Sequence, residues 1–416
     1  MPTTGFNVNG VEVSTGFVLK SYLLDRYPEL ANTFKTAGLW GWGYQNNGSL
    51  GNNVNSATSV SSPVQTVSGG TNWKQVAAGE LNSYAIKTDG TLWVWGGNYY
   101  GELGTNNRTH YSSPVQTISG GTDWKQVSAS KQTFAGALKT DGTLWLWGAN
   151  NYGQLGNNTN TNRSSPVQTV AGGTNWKFIS CGYQHAGAIK NDGTLWLWGA
   201  NQTGQLGNNS ILSGSNKGIS SPIQTVAGGT NWKQVSVAGP SIFAQSGAIK
   251  TDGTLWMWGG NYYCSLGDNT SVDKSSPVQT IAGGTNWKQV SCGYGYTMAI
   301  KTDGTLWGWG KNNLGQLGKN DRTKYSSPVQ TIAGGTNWYN VSASGISNAC
   351  TSALKTDGTL WGWGNNAYGQ LGDNSIVNKS SPVLSFAGGT NWKQVSVGQH
   401  SMAIRDDSAD FGIGTL

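Results

Sequence analysis

The sequence is short of charged residues, and this scarcity is the first constraint on its function. Only 11% of its 416 residues are charged, and no apolar run approaches the ~18 residues of a membrane-spanning helix. The amino terminus, MPTTGFNVNGVEVSTG, lacks the basic stretch and the apolar core of a secretory signal. We therefore expect a protein that does not insert into a membrane and is made without a secretion signal.

Residues that carry catalytic or metal chemistry are also scarce. The four cysteines form no CxxC pair, and two of them follow serine at the same repeat position, as small core residues would. HExxH, GxSxG and phosphate-loop motifs are missing. A glycosidase-type carboxylate pair stays open among the loop aspartates, although nothing distinguishes them. These are Asp268, Asp273, Asp321 and Asp373. We expect no metal, no cofactor and no enzymatic activity.

The formal charge of +7 is spread thinly along the chain. Six lysines recur singly, about one repeat apart: Lys87, Lys139, Lys190, Lys250, Lys301 and Lys355. A nucleic-acid-binding surface would show clustered Lys and Arg. We therefore expect no nucleic-acid partner.

Tryptophan and glycine are abundant, with 21 and 63 copies, and the tryptophans follow a repeat. The patterns LWxWG and GGT(N/D)W each occur seven times and together contain every tryptophan. The first Trp of LWxWG recurs every 51 to 60 residues. A disordered chain would be poor in aromatic residues, so this array indicates a packed fold.

Each repeat predicts four short strands. SSPVQT(V/I), WKQVS, a segment ending in A(I/L)K, and TLWxWG are separated by turn residues, and the last two are joined by Asp-Gly, a tight-hairpin signal. Four strands in each of seven repeats predict an all-β, seven-bladed β-propeller. Strand alternation places Trp145 and Trp147 on the same face. Full burial of one Trp would contribute ~4–6 kcal/mol before entropy, so we expect these rings to form the core between blades.

The consensus WKQVSxGxxHxxAIKTDGTLWxWGxNxxGQLG resembles the repeat of the regulator of chromosome condensation family over about residues 35–407. That resemblance implies a seven-bladed propeller. The family also contains a nucleotide exchange factor that acts on chromatin and many unrelated binding proteins.

The two ends of the array complement each other. The first LWGWG has no GGTNWK segment before it, and the last GGTNWKQVS has no LWxWG after it. Joining them completes one blade shared by both termini, which would close the ring and remove open sheet edges. Its residues would include Leu39, Trp40, Trp42, Trp392 and His400.

These boundaries divide the chain into a propeller over 34–407, an amino-terminal segment, 1–33, and a tail, 408–416. Residues 17–30, FVLKSYLLDRYPEL, predict a short helix interrupted near Pro28. We expect residues 1–33 to attach the propeller to a partner.

Loops carry the differences between repeats, as expected of recognition sites on a rigid scaffold. The fourth repeat has the longest loops, which contain Ile211, Leu212, Lys217, Ile242 and Phe243. Four tyrosines share one repeat position: Tyr100, Tyr152, Tyr263 and Tyr368. They would either stack on sugars or contact a protein at the rim, or simply cover the blade edge.

Three functions follow as hypotheses. The first is a structural or binding protein of a bacteriophage tail or capsid surface, made in the host cytoplasm and assembled into the virion. Its near-identical repeats, its Asn/Gly/Thr-rich loops and its opening, MPTTGFNVNGVEV, are similar to those of phage structural proteins with this repeat. Residues 1–33 would then bind other virion proteins, and the rim a host surface protein or glycan. The alternatives are a bacterial lectin-like adhesin and a cytoplasmic nucleotide exchange factor for a small GTPase.

Overall fold

The computed structural model describes residues 37–68, 72–213 and 217–406, together with two short strands near the amino terminus. Strands β1 (Phe6–Val8) and β2 (Val11–Val13) form an antiparallel pair. The predicted helix over 17–30 and the tail 408–416 lie outside the described residues. The described residues contain no helix long and apolar enough to cross a membrane.

The other strands form seven four-stranded antiparallel sheets, the blades. Strand A of each blade is β5 (Trp73–Ala78), β9 (Trp124–Ala129), β13 (Trp176–Cys181), β17 (Trp232–Ala238), β21 (Trp287–Cys292), β25 (Trp338–Ala343) and β29 (Trp392–Val397). Strand B is β6 (Asn82–Lys87), β10 (Phe134–Lys139), β14 (His185–Lys190), β18 (Gln245–Lys250), β22 (Tyr296–Lys301), β26 (Cys350–Lys355) and β30 (His400–Asp406).

Strand C carries LWxWG and strand D carries SSPV or SSPI. Strand C is β7 (Leu92–Gly96), β11 (Leu144–Gly148), β15 (Leu195–Ala200), β19 (Leu255–Gly259), β23 (Leu306–Gly310), β27 (Leu360–Gly364) and β3 (Ala37–Tyr44). Strand D is β8 (Tyr111–Gln116), β12 (Arg163–Gln168), β16 (Gly218–Gln224), β20 (Lys274–Gln279), β24 (Tyr325–Gln330), β28 (Lys379–Leu384) and β4 (Ser59–Gln65). Blades I to VI take β5 to β28 in consecutive fours. Two short 3-10 helices, Asn46–Gly48 and Ser241–Phe243, lie in loops.

Blade VII combines the two ends of the array, in the order β29-β30-β3-β4. β3 pairs with β30 over seven residues, including Trp40 with Ala403 and Gly43 with His400. Trp42 and Trp392 pack edge to face, with ring centroids 6.1 Å apart. The predicted seven-bladed propeller closed by a shared blade is therefore confirmed.

Strands A line a central channel, and their polar side chains join neighbouring blades. In blade I, Gln75 Nε2 donates to Val127 O, and its Oε1 accepts from Val127 N of blade II. Ser128 Oγ accepts from Cys181 N of blade III in the same way. The Gln and Ser of WKQVS thus satisfy backbone groups of the next blade, a role that strand alternation alone did not indicate.

The tryptophans divide into two groups. The A-strand Trp and the second Trp of each LWxWG are buried, fourteen rings in all, and pack on the aliphatic face of the preceding blade. The first Trp of LWxWG is only half-buried. The prediction that the rings form the core is therefore correct for two of the three in each blade. The third ring lies beneath a basic side chain of strand B, a lysine in six blades and Arg405 in blade VII.

Candidate functional site

The two ends of the propeller differ. One, the turn end, carries the B–C hairpins and the GGT(N/D)W turns. The other, the loop end, carries the A–B and C–D loops. The repeated turns are nearly identical in sequence, whereas the loops vary in length and composition.

At the turn end, DGTLW forms the same hydrogen-bond relay in six blades. In blade II, Thr143 N and Thr143 Oγ1 each donate to Asp141 Oδ1 over 2.8 Å. Trp145 Nε1 donates to Thr143 Oγ1 over 2.9 Å. These bonds hold the pKa of the Asp141 carboxyl below its usual value. The turn aspartates are therefore structural.

The strand-B lysines, which the sequence showed only as scattered charges, cover this relay. In blade III, Lys190 Nζ lies 4.9 Å from the Trp176 ring centroid and 4.4 Å from that of Trp196. The same arrangement recurs in five other blades with Lys, and Arg405 takes its place in blade VII. The fixed spacing of AIK between the two Trp motifs was the signal that could have revealed this cation–π pairing.

At the loop end, the Asn of WGxN organises the C–D loop in six blades, and Gln45 stands at this position in blade VII. In blade II, Asn150 Nδ2 donates to Thr159 O and Thr161 O, while Asn150 Oδ1 accepts from Leu155 N. Gly153 has φ of +74°, and a Cβ there would collide with the backbone of Ser220 in the next blade. The loop aspartates serve the same framework, since Asp268 and Asp373 accept hydrogen bonds from the corresponding Asn261 and Asn366.

The four predicted tyrosines all lie in C–D loops of the loop end, each in a different blade. Tyr100 is 40% exposed, and the other three are half-buried. Tyr368 packs against Tyr44, with centroids 4.6 Å apart. The structure therefore brings these tyrosines to one end of the disc but does not gather them into one site.

The loop residues predicted from the fourth repeat lie in two different loops of neighbouring blades. Ile211 and Lys217 are exposed and Leu212 is half-buried, all in the C–D loop of blade III. Ile242 and Phe243 lie in the A–B loop of blade IV, where Ile242 is exposed.

Phe243 belongs to an aromatic cluster between blades IV and V. Its ring stacks on Tyr263, with centroids 5.1 Å apart and planes 20° apart, and lies 4.9 Å from Tyr294. Tyr262, which is 60% exposed, packs edge-on against Tyr263. Gly295, at φ of +69°, permits the approach because a Cβ there would meet the Tyr263 ring. Of these rings, Tyr263 and Phe243 were predicted, whereas Tyr262 and Tyr294 were missed because the loops meet only in the folded chain.

Three basic residues lie beside this aromatic cluster. Lys311 Nζ lies 4.5 Å from the centroid of Tyr294 and 5.0 Å from that of Tyr263, and partial burial lowers the pKa of the lysine. Lys311, Arg322 and Lys324 line a cavity of about 610 Å³ together with Tyr262 and Tyr263. We call this cavity, with its aromatic and basic walls, the loop-end pocket.

Other titratable groups are enclosed within the propeller. Burial lowers the pKa of His185 and His400 to about 3, so both imidazoles are neutral, and each shares a hydrogen bond with a serine of the next blade. Burial raises the pKa of the Cys181 thiol to about 12, and all four cysteines are free. In the part of the chain that the structure describes, no group of three or more His, Cys, Asp or Glu is placed to hold a metal ion.

Lys131 lies at the loop end of the central channel. Its Nζ donates to Ala78 O of blade I and to Val397 O of blade VII, over 2.9 and 2.7 Å. Burial lowers the pKa of this lysine to about 8. One side chain therefore joins three blades beside the closure.

Comparison with known proteins agrees with this geometry. The chain is 28% identical over 344 residues to the ultraviolet-B receptor UVR8 of Arabidopsis thaliana, covering 82% of this chain and 76% of the receptor. It is 27% identical over 387 residues to the E3 ubiquitin-protein ligase HERC2 of Homo sapiens, covering 90% of this chain but only 8% of the ligase.

Solved structures share the fold at lower identity. Human WBSCR16 superposes with a TM-score of 0.75 at 19% identity, over 89% of this chain and 99% of that one. Prp20p of Saccharomyces cerevisiae, whose structure is described together with its binding to Gsp1p and histones, gives 0.75 at 16% identity, over 92% and 96%.

The sequence profile of the regulator of chromosome condensation (RCC1) repeat matches six segments: 89–135, 141–189, 192–242, 252–300, 303–347 and 357–404. These segments span most of the propeller, and each begins in a DG turn or next to one and runs through the following loop. The chain therefore belongs to the RCC1 repeat family.

Proposed function

We propose that this protein is a non-enzymatic recognition propeller whose loop end binds its partner. Protein binding is consistent with the relatives, which include a receptor and a GTPase regulator homolog. The nearly identical turns hold the disc together, whereas the loop end presents different side chains from each blade.

The loop-end pocket is the observation that carries this proposal. Tyr262 is 60% exposed although its neighbours form a packed aromatic cluster, and Ile242 in the A–B loop of the same blade is 51% exposed. Exposed aromatic rings on a rigid framework are the residues that anchor protein and small-ligand contacts. The DGTLW relay and the inter-blade bonds of the WKQVS strand explain the other recurring side chains, whereas the fold itself gives Tyr262 no reason to be exposed.

We further propose that the protein is a bacteriophage virion component on the tail or capsid surface, made in the host cytoplasm. The support is the near-identical repeats and the resemblance of the opening, MPTTGFNVNGVEV, to phage structural proteins with this repeat. Residues 1–33 would attach the propeller to other virion proteins, and the loop end would face the host surface.

Two experiments test these statements separately. Mass spectrometry of density-purified particles should detect the chain, and its absence from them would remove the virion role. Binding of the fluorescently labelled full chain to host cells should be weakened by Tyr262→Ser at the loop end. Lys190→Ala at the turn end serves as the control. Equal binding by both variants and the parent chain would refute a loop-end recognition site.

A further inference from the structure

The cations of the loop-end pocket have no acidic partner within salt-bridge distance in the described chain. In blades IV and VI the first residue of strand D is a lysine with an acidic partner, since Lys274 lies 3.6 Å from Asp268 and Lys379 lies 3.5 Å from Asp373. In blade V, the position of these lysines is occupied by Tyr325. Lys311 instead contacts two tyrosine rings, and Arg322 and Lys324 extend into solvent.

The carboxylate nearest in sequence, Asp321, is already committed. Its Oδ1 accepts from Asn312 Nδ2 and from Thr323 N, and its Oδ2 accepts from the Tyr325 hydroxyl. These bonds brace the C–D loop. The pocket therefore presents three positive charges, and a half-buried cation such as Lys311 is stabilised when an anion reaches it.

The rest of the wall suits a sugar. Tyr262 offers an exposed ring against which the C–H face of a pyranose can pack, and exposed Asn313 and Ser271 supply groups that pair with hydroxyls. A cavity of about 610 Å³ is in the range of small-ligand sites and much smaller than a protein interface. The three cations meet at one cavity, whereas a nucleic-acid strand needs a charged track that follows its backbone.

We propose that the loop-end pocket binds a carboxylate-bearing sugar unit of a surface polysaccharide. Lys311 and Arg322 bind the carboxylate, Tyr262 packs on the ring, and Asn313 pairs with hydroxyl groups. This proposal rests on the loop end being the recognition face and names the chemistry of its ligand.

Calorimetric titration of the full chain tests the proposal. The probes are trigalacturonic acid, its fully methyl-esterified form and N-acetylneuraminic acid. The ester keeps the sugar and removes the charge, so we expect it to bind at least about tenfold more weakly than the acid. The two acids distinguish a hexuronate from a nonulosonate source, and binding of either acid supports the proposal. Binding should weaken as sodium chloride is raised, because the contact is between exposed charges.

Matched variants locate the site. Lys311→Ala and Tyr262→Ser should each weaken binding of the acid about tenfold. Lys217→Ala removes the same charge from another loop. Tyr99→Ser removes the equivalent tyrosine of blade I, whose neighbour, blade II, has Ala149 at the position of Lys311. Both controls should bind as the parent chain does. Thermal unfolding of all four proteins verifies that they are folded.

Four outcomes would overturn the proposal. One is no binding of either acid up to about 10 mM. Another is equal binding of acid and ester, and the third is an equal loss in the pocket variants and their controls. Tighter binding of inorganic phosphate or of a tetraglutamate peptide would also overturn it, by assigning the cations to another anion. If Tyr262→Ser weakens host-cell binding while both acids fail to bind, the recognition face stands and only the ligand class is wrong.

Discussion

Glu102 is a carboxylate at a position where four other blades have glutamine, and it gives the sharpest stability prediction. It is 2% exposed, and its carboxylate accepts hydrogen bonds from Tyr99 N and Tyr100 N. In blade II, the neutral Gln154 Oε1 accepts the equivalent bond from Tyr152 N. Burial raises the pKa of Glu102 from 4.5 to about 7.

The raised pKa of Glu102 makes the free energy of unfolding depend on pH. Between pH 4.5 and about 7 the folded chain keeps a proton on Glu102 that the unfolded chain has lost, so stability falls as pH rises across this window. A pKa that rises from 4.5 to about 7, at ~1.36 kcal/mol for each pH unit, sets an upper limit of about 3 kcal/mol. Glu102→Gln removes this cost. At an unfolding entropy of about 2 cal/mol/K per residue, the melting temperature should rise by about 3 °C above pH 7.

The assay is thermal unfolding of the parent chain and Glu102→Gln between pH 4.5 and pH 8, followed by tryptophan fluorescence. The two melting temperatures should nearly coincide at pH 4.5 and diverge as pH rises. The mirror variant, Gln154→Glu, introduces the same buried carboxylate in blade II and should lower the melting temperature above pH 7. A constant offset between parent and Glu102→Gln at all pH values, or a less stable variant at pH 8, would refute the reasoning.

Three further predictions concern the closure and the buried bases. Acid should destabilise the propeller as pH falls below 6.5, because His185 and His400 have pKa values of about 3 when folded and bind protons only after unfolding. Urea titrations at stepped pH measure how the free energy of unfolding changes with pH, and this change should be smaller in His400→Gln. Gln394→Leu breaks the two hydrogen bonds to Val76 N and Val76 O that join blades VII and I, and should lower the free energy of unfolding in urea by about 1–3 kcal/mol. The variant of its exposed neighbour, Lys393→Ala, should have little effect, and an equal loss in both would contradict a role for these bonds in joining the blades. Lys131 has a pKa of about 8 when folded, so the parent chain should gain stability relative to Lys131→Met as pH rises from 8 to 10.5. Thermal unfolding that shows no such gain would argue against a buried ammonium group at Lys131.

The repeat alone predicted the class of fold, the blade count and the shared blade. The reason is local: Asp-Gly turns, alternating strands and Trp spacing repeat at every blade, and complementary ends leave only one way to complete the seventh. The same locality explains what was missed. The bonds of Gln75 to Val127 and the contacts of Lys190 with two indoles join residues of different strands or blades. Strand periodicity does not indicate such pairs.

Two of the four rings of the aromatic cluster were among the candidate residues selected from the sequence. Tyr263 and Phe243 were selected from the sequence as candidate loop residues, but their stacking and the third and fourth rings depend on contacts among three loops, two in blade IV and one in blade V. The four equivalent tyrosines share a sequence position without sharing a site, because sevenfold symmetry places equivalent positions in separate blades.

Sequence by itself determined that seven modules close into a ring, since each module encodes its own turns and strands and cannot bury its apolar face alone. Only the tertiary structure decided which side chains meet at the blade boundaries: the indoles that become buried, the lysine at the loop end of the channel, and the cations beside the tyrosines of the loop-end pocket. Those contacts depend on distances between residues about 50 or more apart in the chain, which are fixed by packing rather than by local preference.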